Sequence, residues 1–160
     1  MVNRGDAQGL GLRRKSAMFL LALWWGGFTF YAARVVFIGH EVLGNKTTQG
    51  FITERVTTNL NYLACAALAA AGWELSAAGR SRRRTQAFTA LGITVVATGF
   101  LFALHSLLAR ELDFEARRVL QPERFYQLHR VYLLVATVQW AAGATLFALL
   151  DGSTKVEVKR

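Results

Sequence analysis

Hydrophobic residues in this chain gather in four long uncharged runs instead of alternating with polar ones at short period. The runs cover residues 17–38, 60–78, 87–109 and 131–150. Each is close to the ~20 residues a helix needs to cross roughly 30 Å of hydrocarbon at about 1.5 Å per residue. Only Arg34, Glu74 and His105 put ionisable groups inside them. A soluble helix bundle would carry a polar stripe on the solvent side of every helix, and "AMFLLALWWGGF" and "VVATGFLFAL" have none. The pattern therefore predicts an all-α fold, an antiparallel four-helix transmembrane bundle. Residues 1–16 read as a cytoplasmic N-terminal segment, 17–150 as the membrane domain and 151–160 as a cytoplasmic tail.

The connections refine that picture. "GRSRRRTQ" is short, so the second and third spans form a tight hairpin. "TQGFITERVTTNLNYL" reads as an outward extension of the second helix, with Phe51, Val56 and Leu60 set among charges. In "ELDFEARRVL", Leu112, Ala116, Val119 and Leu120 fall at i, i+4, i+7 and i+8. That spacing predicts a short amphipathic helix lying on the outer membrane face before the fourth span. Pro122 suits the first turn of the fourth helix, where a missing N–H costs little. "RRKSAMFLLALWW" has the basic and apolar parts of a secretory leader, but no small-residue cleavage site closes it, so the first span stays.

Charge then orients the chain. Hydrophobic residues make up 53% of the 160, yet there are 19 Lys and Arg and a net charge of +9. Eleven of the cations flank one side of the spans: Arg4, Arg13, Arg14 and Lys15, then Arg80, Arg82, Arg83 and Arg84, then Lys155, Lys159 and Arg160. Seven lie on the other side, offset by six acids. The positive-inside rule places both termini in the cytoplasm. The expected partners are the lipid bilayer, anionic lipid headgroups at the cytoplasmic face, and a membrane-protein partner or second copy of the chain. No nucleic-acid partner is expected, because topology accounts for most of the net charge and makes that a much weaker reading of "RSRRR". Cys65 stands alone, so there is no disulfide framework and no CxxC metal or redox site.

Candidate chemistry collects at the outer ends of the spans. His40 and Glu41 close the first, Glu54, Thr58 and Asn61 open the second, His105 closes the third and His129 opens the fourth. Arg34 either snorkels to the interface or pairs with Glu54 or Glu41, and Arg34, Glu54, Thr58 and Asn61 are expected to form a structural polar cluster. Polar stripes run through Thr94, Thr98 and His105, through His129, Tyr132, Gln139 and Gly143, and through Thr58, Asn61 and Cys65. They belong inside the bundle, since lipid accepts polar groups poorly. His105 and His129 are the best pair for a haem or metal cofactor, with His40 and Glu41 as further metal ligands. No HxxxH, HxxE or CxxC spacing and no nucleophile–base set appears, so no catalytic residue is assigned. The leading expectation is a non-enzymatic scaffold or accessory subunit. The alternatives are a haem- or metal-binding redox subunit and a small transporter or channel, the last disfavoured for want of a broken-helix signature.

Three stretches together, "LWWGGFTFYAARVVFIGHEVLG", "QGFITERVTTNLN" and "FYQLHRVYLLVATVQWAAG", resemble a family of small bacterial four-span proteins of unknown function. Their layout is similar to that of copper-resistance-D-like membrane proteins. The resemblance implies a helical membrane fold in a bacterial inner membrane, with His129 in "LHR" matching the family pattern. It carries no catalytic assignment.

Overall fold

The computed structural model describes residues 4–77, 81–113, 115–116 and 118–152. These residues are almost wholly helical. Helix α1 (Arg4–Phe30) passes through a π-helical turn (Tyr31–Val35) into α2 (Val36–Leu43), followed by α3 (Lys46–Ala77), α4 (Arg82–Arg110) and α5 (Pro122–Asp151). The basic residues Arg80, Lys155, Lys159 and Arg160, and the tail beyond residue 152, lie outside the described residues.

Local chemistry sets the helix ends. Gly44 adopts a left-handed φ of 58°, and its N–H donates to the His40 carbonyl, so α2 stops where a side chain would be strained. The Ser81 hydroxyl caps α4 by accepting from the Arg84 N–H. Pro122 begins α5 as expected, and α3 starts at Lys46, as the outward extension of the second span requires. The last carbonyls of α5, short of helical donors at a helix end, receive two arginines, while the Gly152 N–H also donates to the Ala148 carbonyl. Arg14 donates to the carbonyls of Leu150 (2.6 Å) and Asp151 (2.9 Å), and Arg83 to those of Leu149 (2.9 Å) and Ala148 (3.1 Å). Cations at a helix C-terminus also suit its dipole. Two of the clustered arginines thus tie the first half of α1 and the start of α4 to the end of α5.

Among the described residues before α5, the predicted amphipathic helix is not seen. In its place Leu112–Asp113 (β1) pairs antiparallel with Arg118–Val119 (β2). Asp113 explains the difference. Its carboxylate accepts from the Ala116 N–H at 3.0 Å and from Arg118 Nε at 3.4 Å, offering the backbone a turn where a helix would need its own ladder. The same contacts, the Ala116 amide first, hold the Asp113 carboxyl below the ordinary carboxylate range.

Helix α1 packs on α3, α3 on α4, α4 on α5, and α5 returns to α1. Some polar side chains lie in their interior, and large apolar ones lie on their outside. Thr94, Thr98 and Gln139 are buried, with Gln139 Nε2 donating to Thr98 Oγ1 at 2.8 Å. Phe19, Phe37, Val96, Phe100 and Leu134 are more than half exposed. The stretches Gly11–Leu43, Arg82–Arg110 and Pro122–Asp151 are long and apolar enough to cross a membrane. The expected span at 60–78 forms the second half of α3 and falls short of that mark, because Asn61, Tyr62, Trp73 and Glu74 flank its alanine run.

Small residues and tryptophans fill the middle. The Trp24 ring lies directly on Gly143 of α5, where an added Cβ would stand 2.6 Å from it. Trp25 stacks on Trp140 with ring centroids 5.3 Å apart. Trp25 Nε1 donates to the Trp140 carbonyl, and Trp140 Nε1 to Thr29 Oγ1. Nearer the Gly152 end, the Arg13 guanidinium covers the exposed Trp73 ring at 4.8 Å.

Candidate functional site

The opposite end of the molecule, beside the β-hairpin, holds a cavity of about 310 Å³. It lies among α3, α4 and α5, with Val36 of α2 and Val119 of β2 completing its wall. The aromatic rings of Phe125, Tyr126, His129 and Tyr132 line the α5 side. The polar groups come mainly from α3, where Gln49, Thr53, Thr57 and Asn61 recur every fourth residue and so share one helix face. The first three line the cavity, and Glu54 lies beside them.

The threonine hydroxyls satisfy themselves locally. Thr53, Thr57 and Thr58 donate to the carbonyls of Gln49, Thr53 and Glu54 at 2.7–2.9 Å. Their oxygens remain free to accept. Thr53 Oγ1 accepts from the Tyr31 hydroxyl at 2.9 Å, which fastens the π-helical turn to α3. Thr58 Oγ1 lies 2.8 Å from His105 Nε2, and Glu54 Oε1 lies 3.1 Å from that same nitrogen. Because the Thr58 proton is committed to the Glu54 carbonyl, both neighbours of His105 Nε2 are acceptors. The hydrogen-bond network therefore assigns a proton to Nε2. His105 and Glu54 are both largely shielded, with 16% and 17% of their side-chain surface exposed. Glu54 Oε2 sits 3.4 Å from Arg55 Nε.

Of the expected polar cluster, the structure joins Glu54 and Thr58 through His105 and sets Asn61 on the same helix face. Asn61 is buried beside the cavity and faces the Tyr132 hydroxyl. Arg34 stays out: it is exposed on the π-helical turn, while Glu54 pairs with His105 and Arg55. His40 and Glu41 are exposed on α2 and do not line the cavity. His105 and His129 do share it, and the His129 ring stacks parallel to Phe125 at 6.0 Å. Among the described residues, no three His, Cys, Asp or Glu side chains gather as a metal ion would require. Cys65, expected on an inward stripe, is exposed.

Gln49, Thr53 and Tyr31 are site residues that the sequence reading missed. The four-residue recurrence from Gln49 to Asn61 was the available signal. Gln49 is over nine-tenths buried, and its Oε1 has no hydrogen-bond partner among the described residues. It lies against Gly39 of α2, where any side chain would collide with it. No protein-family model, curated protein or solved structure matches the chain.

Proposed function

We propose that this is a four-span antiparallel bundle of the bacterial inner membrane with both termini in the cytoplasm, acting as a non-enzymatic accessory subunit that binds a small amphipathic molecule. The hairpin-end cavity carries this reading: it is large enough for a small ligand, mostly apolar, and furnished with a few convergent polar groups. A bound molecule would meet aromatic faces on α5 and hydrogen-bonding groups on α3 and α4. The Glu54–His105–Thr58 set is the polar anchor, held in one geometry by contacts that leave His105 little freedom. The exposed belt of large apolar side chains supports the membrane setting, and the concentration of Arg13, Arg14, Arg82, Arg83 and Arg84 at the Gly152 end supports the orientation.

This orientation puts the cavity on the outer side. In a Cys65→Ala background, an impermeant maleimide added to intact cells is expected to label Glu123→Cys, an exposed position at the start of α5. Labelling only after the cytoplasmic side is opened would overturn the orientation.

A further inference from the structure

The first membrane helix meets α5 closely at one level and parts from it at the next. Trp24 lies on Gly143 and Trp25 stacks on Trp140. Further along, the Tyr31 hydroxyl donates to Thr53 Oγ1 and α2 packs on α3. The chain thus leans toward α3 and away from α5, and a groove of about 360 Å³ opens along the seam. Phe28, Ala32 and Ala33 line it on one side, and Ala136, Thr137 and Trp140 on the other. Alanines at these places leave space that larger side chains would close.

The groove runs into the hairpin-end cavity, and Leu133 lines both. On one wall Ala32 is followed a turn later by Val36, which lines the cavity. On the other, Ala136 leads back along α5 to Leu133 and then His129, at helical spacings that keep them on one face. The path along α5 from Trp140 to His129 covers roughly 16 Å at about 1.5 Å per residue. It follows the helix axis, and so the direction of the acyl chains in a bilayer that α5 crosses. Ala32, Ala33, Leu133 and Thr137 are exposed, so the groove is open on the apolar outer surface. A depression facing hydrocarbon forfeits dispersion contacts unless something thin and apolar fills it.

We propose that groove and cavity form one site for a single-chain amphipath that enters sideways from the bilayer. Its head lies in the hairpin-end cavity and its hydrocarbon chain along the Ala32–Ala33–Ala136 seam. This rests on reading the cavity as a ligand site and adds the chain and the route of entry. One groove between two helices takes one chain. A chain-bearing ligand reaches the cavity through the open seam without unseating the hairpin. The hairpin is tied down on its own side, where the Leu120 N–H donates to the Glu111 carbonyl and the Glu111 carboxylate meets Arg124 Nε at 3.3 Å.

The test uses full-length protein in lipid nanodiscs and hexadecanol carrying a mid-chain diazirine, with the photolabelled peptides identified by mass spectrometry. Labelling of residues 28–33 and 133–140 is expected to saturate as the probe is raised. Labelling of 95–100, where Val95, Val96 and Phe100 of α4 are exposed, should rise in proportion to the probe. Ala33→Phe, at an exposed position, is expected to lower the seam labelling about tenfold, equivalent to about 1.4 kcal/mol. Unchanged labelling of α4 in that variant shows that the bundle is intact. Gly50→Phe, which fills the cavity from a position where a Cβ meets nothing, should lower the seam labelling too, because head and chain share one site. Seam labelling that rises in proportion, as on α4, would make the groove ordinary lipid contact and overturn the proposal. Saturable labelling that Gly50→Phe leaves intact would overturn the link between groove and cavity. A water-soluble ligand without a chain, extracted from protein taken from its own membranes, would overturn the chain and the route while the cavity reading stands.

Discussion

Gly143→Leu is expected to be the most damaging single substitution in the bundle. The Trp24 ring occupies the space where a Cβ would stand, at 2.6–2.7 Å, and Trp24 is itself only 1% exposed. A leucine there must push α1 and α5 apart or force Trp24 out of its rotamer, and overpacking of this kind costs about 1–3 kcal/mol, occasionally more. Displacing Trp24 also disturbs the neighbouring Trp25–Trp140 stack and its hydrogen bonds to the Trp140 carbonyl and Thr29. Thermal melting in mild detergent, followed by tryptophan fluorescence, should show a large drop for Gly143→Leu. Gly92→Leu should melt close to wild type, because nothing lies within 4 Å of a Cβ built there. Adding Trp24→Leu to Gly143→Leu should recover part of the loss, since it removes the ring the new side chain strikes. Equal melting of the Gly92 and Gly143 variants would contradict the close packing of α1 on α5.

His105→Leu ranks second. It removes the donor shared by Glu54 Oε1 and Thr58 Oγ1 and leaves a largely shielded carboxylate with only the 3.4 Å contact to Arg55. Loss of a hydrogen bond to a charged group costs about 1.5–3 kcal/mol. Breaking such a pair by removing one partner is worse than removing both. The double variant His105→Leu/Glu54→Leu should therefore be more stable than the sum of its single losses, a coupling that a double-mutant cycle measures directly. Strict additivity would mean that Glu54 and His105 do not act as a unit.

The sequence made the membrane helices legible because length and apolarity act over about twenty residues and need no partner to be seen. The same holds for the start of α5 at Pro122 and for the inward polar positions Thr94, Thr98 and Gln139, whose placement follows from what lipid will not accept. The hairpin was missed because Leu112, Ala116, Val119 and Leu120 satisfy helical periodicity, while the Asp113 side chain settles the backbone by a contact that periodicity does not register. The π-helical turn at Tyr31–Val35 carries no proline or glycine, and the observed tie at this turn is the tertiary bond from Tyr31 to Thr53. The candidate site was half legible. His105 and His129 were placed at one end by topology alone. Which acid His105 would meet depended on the rotation of α3, and that rotation brings Glu54 to His105 while Arg34 remains on the outside.

The hairpin-end cavity is proposed to hold a small organic molecule. Protein purified from its own membranes in mild detergent should be extracted with organic solvent and the extract weighed by mass spectrometry, alongside an absorbance spectrum and metal analysis. The expected result is about one equivalent of an organic ligand per chain, lost from Gly50→Phe, whose new side chain would grow from a cavity-lining position where a Cβ meets nothing. A haem absorption band or stoichiometric metal, lost in His105→Ala and His129→Ala, would contradict it and make the cavity a redox or metal centre. So would equal extracts from wild type and Gly50→Phe.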